Sequence, residues 1–205
     1  MDSILDKEYF QEGIFYLKNK DPDLKKILDF SKGGIASFNR TPGFAGLINL
    51  IIEQQLSVAS AKAIYKRMKK LLKNINPENV QKITDLELSE IGLSRQKISY
   101  CKVIARACMD GSMNLNKIKS MNNDEVINYL TQFKGIGDWT ANCYLLACLK
   151  RVDAWPSSDL GLQVAIQRIK NLEKRPDVLT TSEIAEAWKP FRGVAAIILW
   201  STYDI

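Results

Sequence analysis

The sequence predicts an all-α protein, and three observations support this fold class. Nearly every longer segment places apolar side chains at the three- and four-residue spacing of an amphipathic helix. None shows the sustained apolar–polar alternation of a half-buried strand. Good helix caps stand directly ahead of these segments, such as Asp21 before Pro22, Ser57 and Ser94. The 205 residues are enough for one compact unit or for two helical lobes with real cores.

The N-terminal region is predicted to hold two helices. The first runs from about Lys7 to Lys18, and its apolar stripe is set by aromatic and aliphatic residues. The second starts at Asp21-Pro22, since proline fits the first helical position, and ends at Gly33-Gly34. A short loop follows, and we place a lobe boundary near Arg40.

A strongly apolar segment, residues 44–53, predicts a buried helix. Ser57 then caps a helix that reaches Leu72 and carries many basic side chains. Two interpretations of this basic face stay open: a solvated polar face, or a surface that meets phosphates. The basic residues are Lys62, Lys66, Arg67, Lys69, Lys70 and Lys73.

The rest of the central region reads as short helices separated by capping residues and glycines. Ser94 caps a helix over 96–109 that Gly111 stops, and another helix begins at Asn123. A short helix is expected to open at Asn76-Pro77-Glu78, and others near 85–90 and 115–119.

The stretch Phe133–Gly137 is too short for a long loop and too rich in glycine to continue a helix. Its glycines permit positive φ and close approach to a ligand, while Ile136 can fill the space between two helices. Asp138 can cap the next helix, predicted over 139–150. Backbone N–H groups here would suit a phosphate. On the glycines alone, a tight helix–helix turn is the favoured explanation.

The composition limits the kinds of partner, catalytic base and metal site that the chain can have. The formal charge of +6 leans mildly toward polyanionic partners. The chain has no histidine, which excludes a histidine general base and histidine-bound zinc. Its four cysteines lack the spacing of a zinc or iron–sulfur site and are expected to be reduced. No signal peptide or membrane span is apparent, which favours a cytoplasmic or, in a eukaryote, a nuclear protein.

Five motifs occur in an order that resembles one family over roughly residues 10 to 203. They are Gln54-Gln55-Leu56-Ser57, residues 92–97, residues 133–141, Trp155-Pro156 through Gly161, and residues 188–192 through Trp200. This pattern is similar to the helix-hairpin-helix (HhH-GPD) DNA glycosylases, and within them to the 3-methyladenine DNA glycosylase II (AlkA/Mag-like) branch. It suggests the compact form without an N-terminal β domain.

The resemblance implies two all-α lobes with a central cleft for a flipped base, residues 40–150 in one and 1–39 with 151–205 in the other. Asp159 falls on the family's catalytic aspartate; cleavage of an N-glycosidic bond builds positive charge on the sugar, which a fixed carboxylate stabilises. Helix capping is the alternative role for Asp159, and the two roles are compatible. Trp139 occupies the position of the family's lyase lysine, so hydrolysis by water is expected.

The resemblance also assigns roles to further residues. Those implied to line the base pocket are Trp139, Trp200, Cys143 and Tyr144, with Trp155 nearby. Those implied to wedge open the duplex are Gln54, Gln55 and Leu56, of which Gln55 aligns best with the inserting residue. Those implied to hold phosphates are Gly135, Gly137, Ser57, Ser94, Arg95, Lys97, Lys134 and Thr140.

The same resemblance implies a structural Na⁺ or K⁺ at the carbonyls of Thr131, Phe133 and Ile136, with no catalytic metal, iron–sulfur cluster or other cofactor. The expected function is a monofunctional glycosylase for alkylated purines in double-stranded DNA, acting as a monomer. Three alternatives stay open: a relative with another damaged-base preference or lyase activity, a non-catalytic DNA-binding module, and a helical protein-interaction domain.

Overall fold

The structure, a computed structural model, describes residues 6–31, 35 and 38–202. Within those ranges the chain forms twelve α-helices and no β-strand, which confirms the all-α prediction. No helix among them is long and apolar enough to cross a membrane. The helices are α1 (Lys7–Lys20), α2 (Pro22–Phe30), α3 (Phe44–Glu53), α4 (Val58–Leu72), α5 (Pro77–Lys82), α6 (Asp85–Glu90), α7 (Arg95–Met109), α8 (Asn123–Thr131), α9 (Asp138–Ala147), α10 (Leu160–Ile169), α11 (Val178–Glu186) and α12 (Arg192–Ser201), with a 3₁₀ turn at Lys117–Ser120.

Side-chain caps explain where several helices begin. The predicted caps Asp21, Ser57 and Ser94 each accept a hydrogen bond from a backbone N–H in the first turn of the following helix. Two predicted details differ. Asp138 is the first residue of α9 rather than its cap, and α9 ends at Ala147 instead of reaching residue 150. The predicted stop of α2 at Gly33-Gly34 lies outside the described residues.

The chain divides into two units. One comprises residues 40–144, and the other comprises residues 1–39 with 145–205. The first of these units begins at Arg40, near which the sequence places a lobe boundary. The second boundary lies within α9, whereas the sequence suggests a boundary after residue 150.

The core of unit 40–144 is built around α3. This helix packs against α4 and α7, and α5 and α6 pack against α7. The apolar run predicted to be buried is fully enclosed, with no exposed surface on Leu47, Ile48, Leu50, Ile51 and Ile52. Since α7 touches three other helices, it is the element that braces this unit.

The core of the other unit is built around α12, which packs against α1, α2 and α10. Gly193 allows this close packing: its N–H donates to the Val152 carbonyl at 2.8 Å, and a Cβ atom there would lie 2.6 Å from that oxygen. Asp21 joins distant helices, since its carboxylate accepts from Trp188 Nε1 at 2.8 Å and from Lys170 Nζ. Burial alone would raise the pKa of Asp21, but these hydrogen bonds outweigh it and lower the pKa.

Candidate active site and DNA interface

Asp159 is the N-cap of α10, at the end of a proline-containing loop. Its Oδ1 accepts hydrogen bonds from the Leu162 N–H at 2.8 Å and from the Trp200 indole N–H at 3.0 Å. Gln163 donates to the Ser157 carbonyl at 3.1 Å and so ties the preceding loop to the same helix. The half-buried carboxylate is therefore held in one orientation by donors from two helices, at the positive end of α10. The capping role considered from the sequence is present.

Trp200 lies beside Asp159, so the structure brings these two predicted site residues together. Its half-buried ring packs against Phe38, with ring centroids 4.7 Å apart and planes inclined by 49°. Trp200 thus presents an aromatic face and an N–H donor at the same place. Phe38 is not among the residues predicted from the sequence, because it stands in a non-periodic segment far from Asp159 in the chain.

The other three predicted pocket residues lie on α9. Trp139 is half-buried and keeps some exposed surface. Cys143 and Tyr144 are 0% and 1% exposed, and the Tyr144 hydroxyl accepts a hydrogen bond from the Gly43 N–H at 2.9 Å. That bond anchors the start of α3, where Gly43 has a φ of 89°. Both side chains are packed in the interior of this structure, and their role in the base pocket stays a prediction.

The two glycines of the hairpin between α8 and α9 differ in backbone conformation and in surroundings. Gly135 has a φ of 98°, and a Cβ atom there would lie 2.3 Å from the ring of Tyr100 on α7, so a side chain cannot fit. Gly137 is exposed and has no atom within 4 Å of a built Cβ. Ile136 is 4% exposed and fills the space between the helices, as predicted. Gly137 and the backbone N–H groups at the start of α9 leave room for a phosphate.

The segment Gln54–Leu56, which we call the wedge loop, does not present its three side chains alike. Gln54 turns inward, and its Nε2 donates to the Gly135 carbonyl and the Thr140 hydroxyl, both at 2.9 Å. Gln55, with a φ of 53°, and Leu56 are exposed. Of the three predicted wedge residues, only Gln55 and Leu56 present exposed side chains. The inserting role predicted for Gln54 does not fit its inward side chain, and the hydroxyl of the 1% exposed Thr140 accepts from Gln54, so only the backbone N–H of Thr140 stays a predicted phosphate contact.

Lys97 also differs from its predicted role as a phosphate ligand. Its Nζ donates to the carbonyls of Ile52 at 2.7 Å and Gln54 at 2.6 Å, beneath the wedge loop. Burial lowers the pKa of this ammonium. By contrast Ser57 and Ser94 are exposed at helix N-termini, and their hydroxyls cap α4 and α7. Arg95 and Lys134 are exposed as well.

The polar face of α4 is uniformly basic. No acidic residue occurs between Glu53 and Glu78, and the helix begins directly after the wedge loop. Three exposed lysines spaced by four and three residues share one face of the helix, and the exposed C-cap lysine follows them; together these four form the α4 face: Lys62, Lys66, Lys69 and Lys73. This arrangement favours the phosphate-facing interpretation of the basic residues over a balanced, solvated face.

The cysteines are free thiols, as expected, and serve packing rather than chemistry. Burial raises the pKa of Cys101 to about 12 and, with nearby acidic groups, that of Cys108 to about 11. Both thiols therefore stay protonated near neutral pH and are poor nucleophiles. Within the described ranges, no cluster of three cysteine, aspartate or glutamate side chains could hold a metal ion.

Comparisons with known proteins agree on one protein family. The profile of the HhH-GPD superfamily of base excision DNA repair proteins matches residues 48–190. DNA-3-methyladenine glycosylase 1 of Schizosaccharomyces pombe is 32% identical over 170 residues, which cover 81% of this chain and 75% of that protein. A Bacillus subtilis DNA-3-methyladenine glycosylase is 32% identical over 123 residues, which cover 60% of this chain and 41% of that protein.

Solved structures agree in fold. The 3-methyladenine DNA glycosylase of S. pombe in complex with abasic DNA superimposes with a TM-score of 0.85 at 28% identity, covering 95% of this chain and 97% of that one. The 3-methyladenine DNA glycosylase of Archaeoglobus fulgidus gives a TM-score of 0.78 at 27% identity, covering 94% of this chain and 69% of that one.

Proposed function

The chain belongs to the HhH-GPD superfamily of base excision DNA repair proteins, and we propose that it is a monofunctional DNA glycosylase that releases alkylated purines from duplex DNA. The observation that carries this proposal is the Asp159 carboxylate, fixed by the Leu162 N–H and the Trp200 indole. Relatives named for 3-methyladenine support that substrate class.

Asp159 would act on the sugar rather than on the base. As the bond between C1′ and the purine nitrogen lengthens, positive charge develops on the deoxyribose, and a nearby carboxylate stabilises that charge. The bonding electrons leave with the base, and water adds its oxygen to C1′ and gives up a proton, for which Asp159 is the acceptor we assign. The products are the free base and an abasic site.

Aromatic faces would select the base. Purines alkylated at N3 or N7 carry a positive charge, and a cation over an aromatic ring gains about 0.5 to 2 kcal/mol. Trp200, packed on Phe38, supplies such a face beside the catalytic carboxylate. Trp139 stays a predicted contact for the base, since it is half-buried on α9. A cationic purine is also a better leaving group, because it departs as a neutral molecule.

The residues around the hairpin would hold the DNA backbone. We assign phosphate contacts to Gly137 and the first turn of α9, with Lys134, Ser57 and Ser94 as flanking ligands; all four named residues are exposed. Gln55 and Leu56 would occupy the space vacated by the flipped nucleotide. We propose a monomer that acts where the cell keeps its genome, the cytoplasm or a nucleus.

The hairpin carbonyls also suit a monovalent cation. The Ile136 N–H donates to the Phe133 carbonyl at 3.0 Å, which uses one of the two lone pairs of that oxygen. We propose that the carbonyls of Thr131, Phe133 and Ile136 would hold Na⁺ or K⁺ when DNA is bound. The ion would add positive charge beside a phosphate and take no part in bond cleavage.

We further propose that the protein lacks lyase activity. Strand cleavage by a glycosylase needs an amine that attacks C1′ to form a Schiff base. The resemblance places that lysine where this chain has Trp139, and α9 contains no lysine. Water is then the nucleophile, and an intact abasic strand is the product.

Base release from chemically methylated duplex DNA tests the proposal. The wild-type protein should release 3-methyladenine or 7-methylguanine, detected by mass spectrometry, without nicking the strand before alkali is added. Asp159→Asn should lose at least about 100-fold in rate, since asparagine keeps the helix cap but not the charge. Asp177→Asn is the matched control, because Asp177 caps α11 by the same bond, from Thr180 N–H at 2.8 Å.

Each part of the proposal can fail separately. No released base from a wild-type protein that binds DNA would refute the glycosylase assignment. Full activity of Asp159→Asn would refute the role of that residue alone. Nicking without alkali would refute the claim that the enzyme is monofunctional.

A further inference from the structure

The backbone of the wedge loop is held by an unusual pair of hydrogen bonds from one lysine. The last carbonyls of a helix have no partners within the helix, and at the end of α3 two of them, those of Ile52 and Gln54, accept from one ammonium group, Lys97 Nζ. A cation at this position also lies at the negative end of the helix dipole. The next residue, Gln55, has a φ of 53°, which non-glycine residues rarely adopt. Lys97 therefore fastens the backbone on one side of a strained residue.

The loop is fastened on a second side by Gln54. The backbone carbonyl of this residue accepts from Lys97, and its side chain donates to Gly135 and Thr140 of the hairpin region. Gly135 in turn lies against Tyr100, one turn beyond Lys97 on α7. One helix therefore supports both the wedge loop and the hairpin, and Gln54 connects them.

We propose that Lys97 is a positioning residue for base flipping, which fixes the exposed Gln55 and Leu56 in the geometry that enters the duplex. The inference rests on the proposed glycosylase function, and it replaces the phosphate contact expected from the sequence. A loop that is already ordered before DNA arrives avoids the entropy cost of ordering it on binding. Lys97 never touches the substrate, so its loss should slow nucleotide extrusion and leave the hydrolytic step unchanged.

The variant Lys97→Met tests this, because methionine keeps the length of the chain but cannot donate to the two carbonyls. The chain offers a matched control in Lys102, also on α7, whose Nζ donates to the carbonyls of Gln81 and Ile83 at the end of α5. Lys102→Met removes the same kind of helix-end bond away from the wedge loop. Both variants should lower the melting temperature by similar amounts.

Two readouts separate positioning from simple destabilisation. The first is the fluorescence of 2-aminopurine next to an abasic site in a duplex, which reports unstacking and needs no catalysis. The second is the single-turnover release of 7-methylguanine from a normal duplex and from a duplex in which the lesion lies in an unpaired bubble. Lys97→Met should reduce the fluorescence change and slow release from the normal duplex about tenfold, with less than a threefold loss on the bubble. Lys102→Met should change neither the fluorescence response nor the rate of release from the normal duplex relative to the bubble.

An equal loss on both substrates, or an unchanged fluorescence response in Lys97→Met, would overturn the proposal. If Lys97→Met does not fold, Gln54→Leu replaces it, since that variant cuts the connection to the hairpin and should show the same selective loss on the normal duplex. Lys97→Arg, which restores a donor, should recover part of the rate. If the wild-type protein unstacks 2-aminopurine but releases no base, and Lys97→Met alone reduces the fluorescence change, the glycosylase function would be refuted and the role of Lys97 supported.

Discussion

Trp200→Phe separates two roles that the structure gives to one side chain. Phenylalanine keeps an aromatic face against Phe38 but loses the indole N–H that donates to Asp159 at 3.0 Å. If Trp200 served only to stack on the base, the variant would retain most of its activity. If the indole also orients the carboxylate, base release should slow while the affinity for DNA stays near that of the wild type.

The size of the effect follows from the hydrogen bonds of Asp159. A hydrogen bond to a charged group contributes about 1.5 to 3 kcal/mol, which corresponds to about ten- to 150-fold in rate if it is lost only in the transition state. The Leu162 N–H, which donates to the same oxygen at 2.8 Å, is not altered by the substitution. We therefore expect the lower end of the range, about tenfold, with about 1 kcal/mol lost from the free energy of unfolding.

The assay is single-turnover release of 7-methylguanine with protein in excess, accompanied by fluorescence anisotropy with abasic duplex DNA. Trp155→Phe is the control, since Trp155 is buried and its indole N–H has no hydrogen-bond partner among the described residues. That variant loses a similar volume without losing a bond to a carboxylate. A wild-type rate for Trp200→Phe would refute the orienting role, and so would a loss of DNA affinity as large as the loss of rate.

Two further predictions concern DNA binding. Gly135→Ala should lower the melting temperature and cost at least about 1 kcal/mol of unfolding free energy, because Gly135 has a positive φ and lies close to Tyr100. Gly137→Ala should fold normally but bind abasic DNA more weakly. Equal stability of the two variants would contradict this prediction. When glutamine replaces the four lysines of the α4 face, the slope of log affinity against log salt should fall in magnitude by about 0.9 for each phosphate that the protein no longer neutralises. The excision rate at saturating protein should not change. An unchanged slope would show that the face is merely solvated. These lysines are Lys62, Lys66, Lys69 and Lys73.

Local features of this molecule are predictable from the sequence. A cap such as Ser57 or Asp159 bonds to a backbone N–H three residues ahead, so neighbouring residues contain all of the information needed. The same holds for the apolar run of α3, whose bounds match the prediction. The glycine hairpin is predictable too, although only the position of Tyr100 shows which glycine is sterically required.

Side-chain roles that depend on distant partners are not predictable in this way. The position of Lys97 near a helix N-terminus favours a phosphate ligand, but its ammonium lies against carbonyls 43 and 45 positions away in the chain. Gln54 stands beside Gln55, and nothing local indicates that one turns inward and the other outward. The packing of Phe38 on Trp200 likewise arises from tertiary structure, which periodicity does not report.

The helix-end ammonium groups have a chemical consequence. Amine reagents must reach the lysine nitrogen, and Lys97 and Lys102 each have an Nζ engaged by two carbonyls in a half-buried setting, so restricted access outweighs the lowered pKa of Lys97. The lysines of the α4 face are exposed. Reductive methylation would therefore mark the outer lysines and spare the two beneath the helix ends. Protection of the outer lysines by DNA could then be mapped residue by residue.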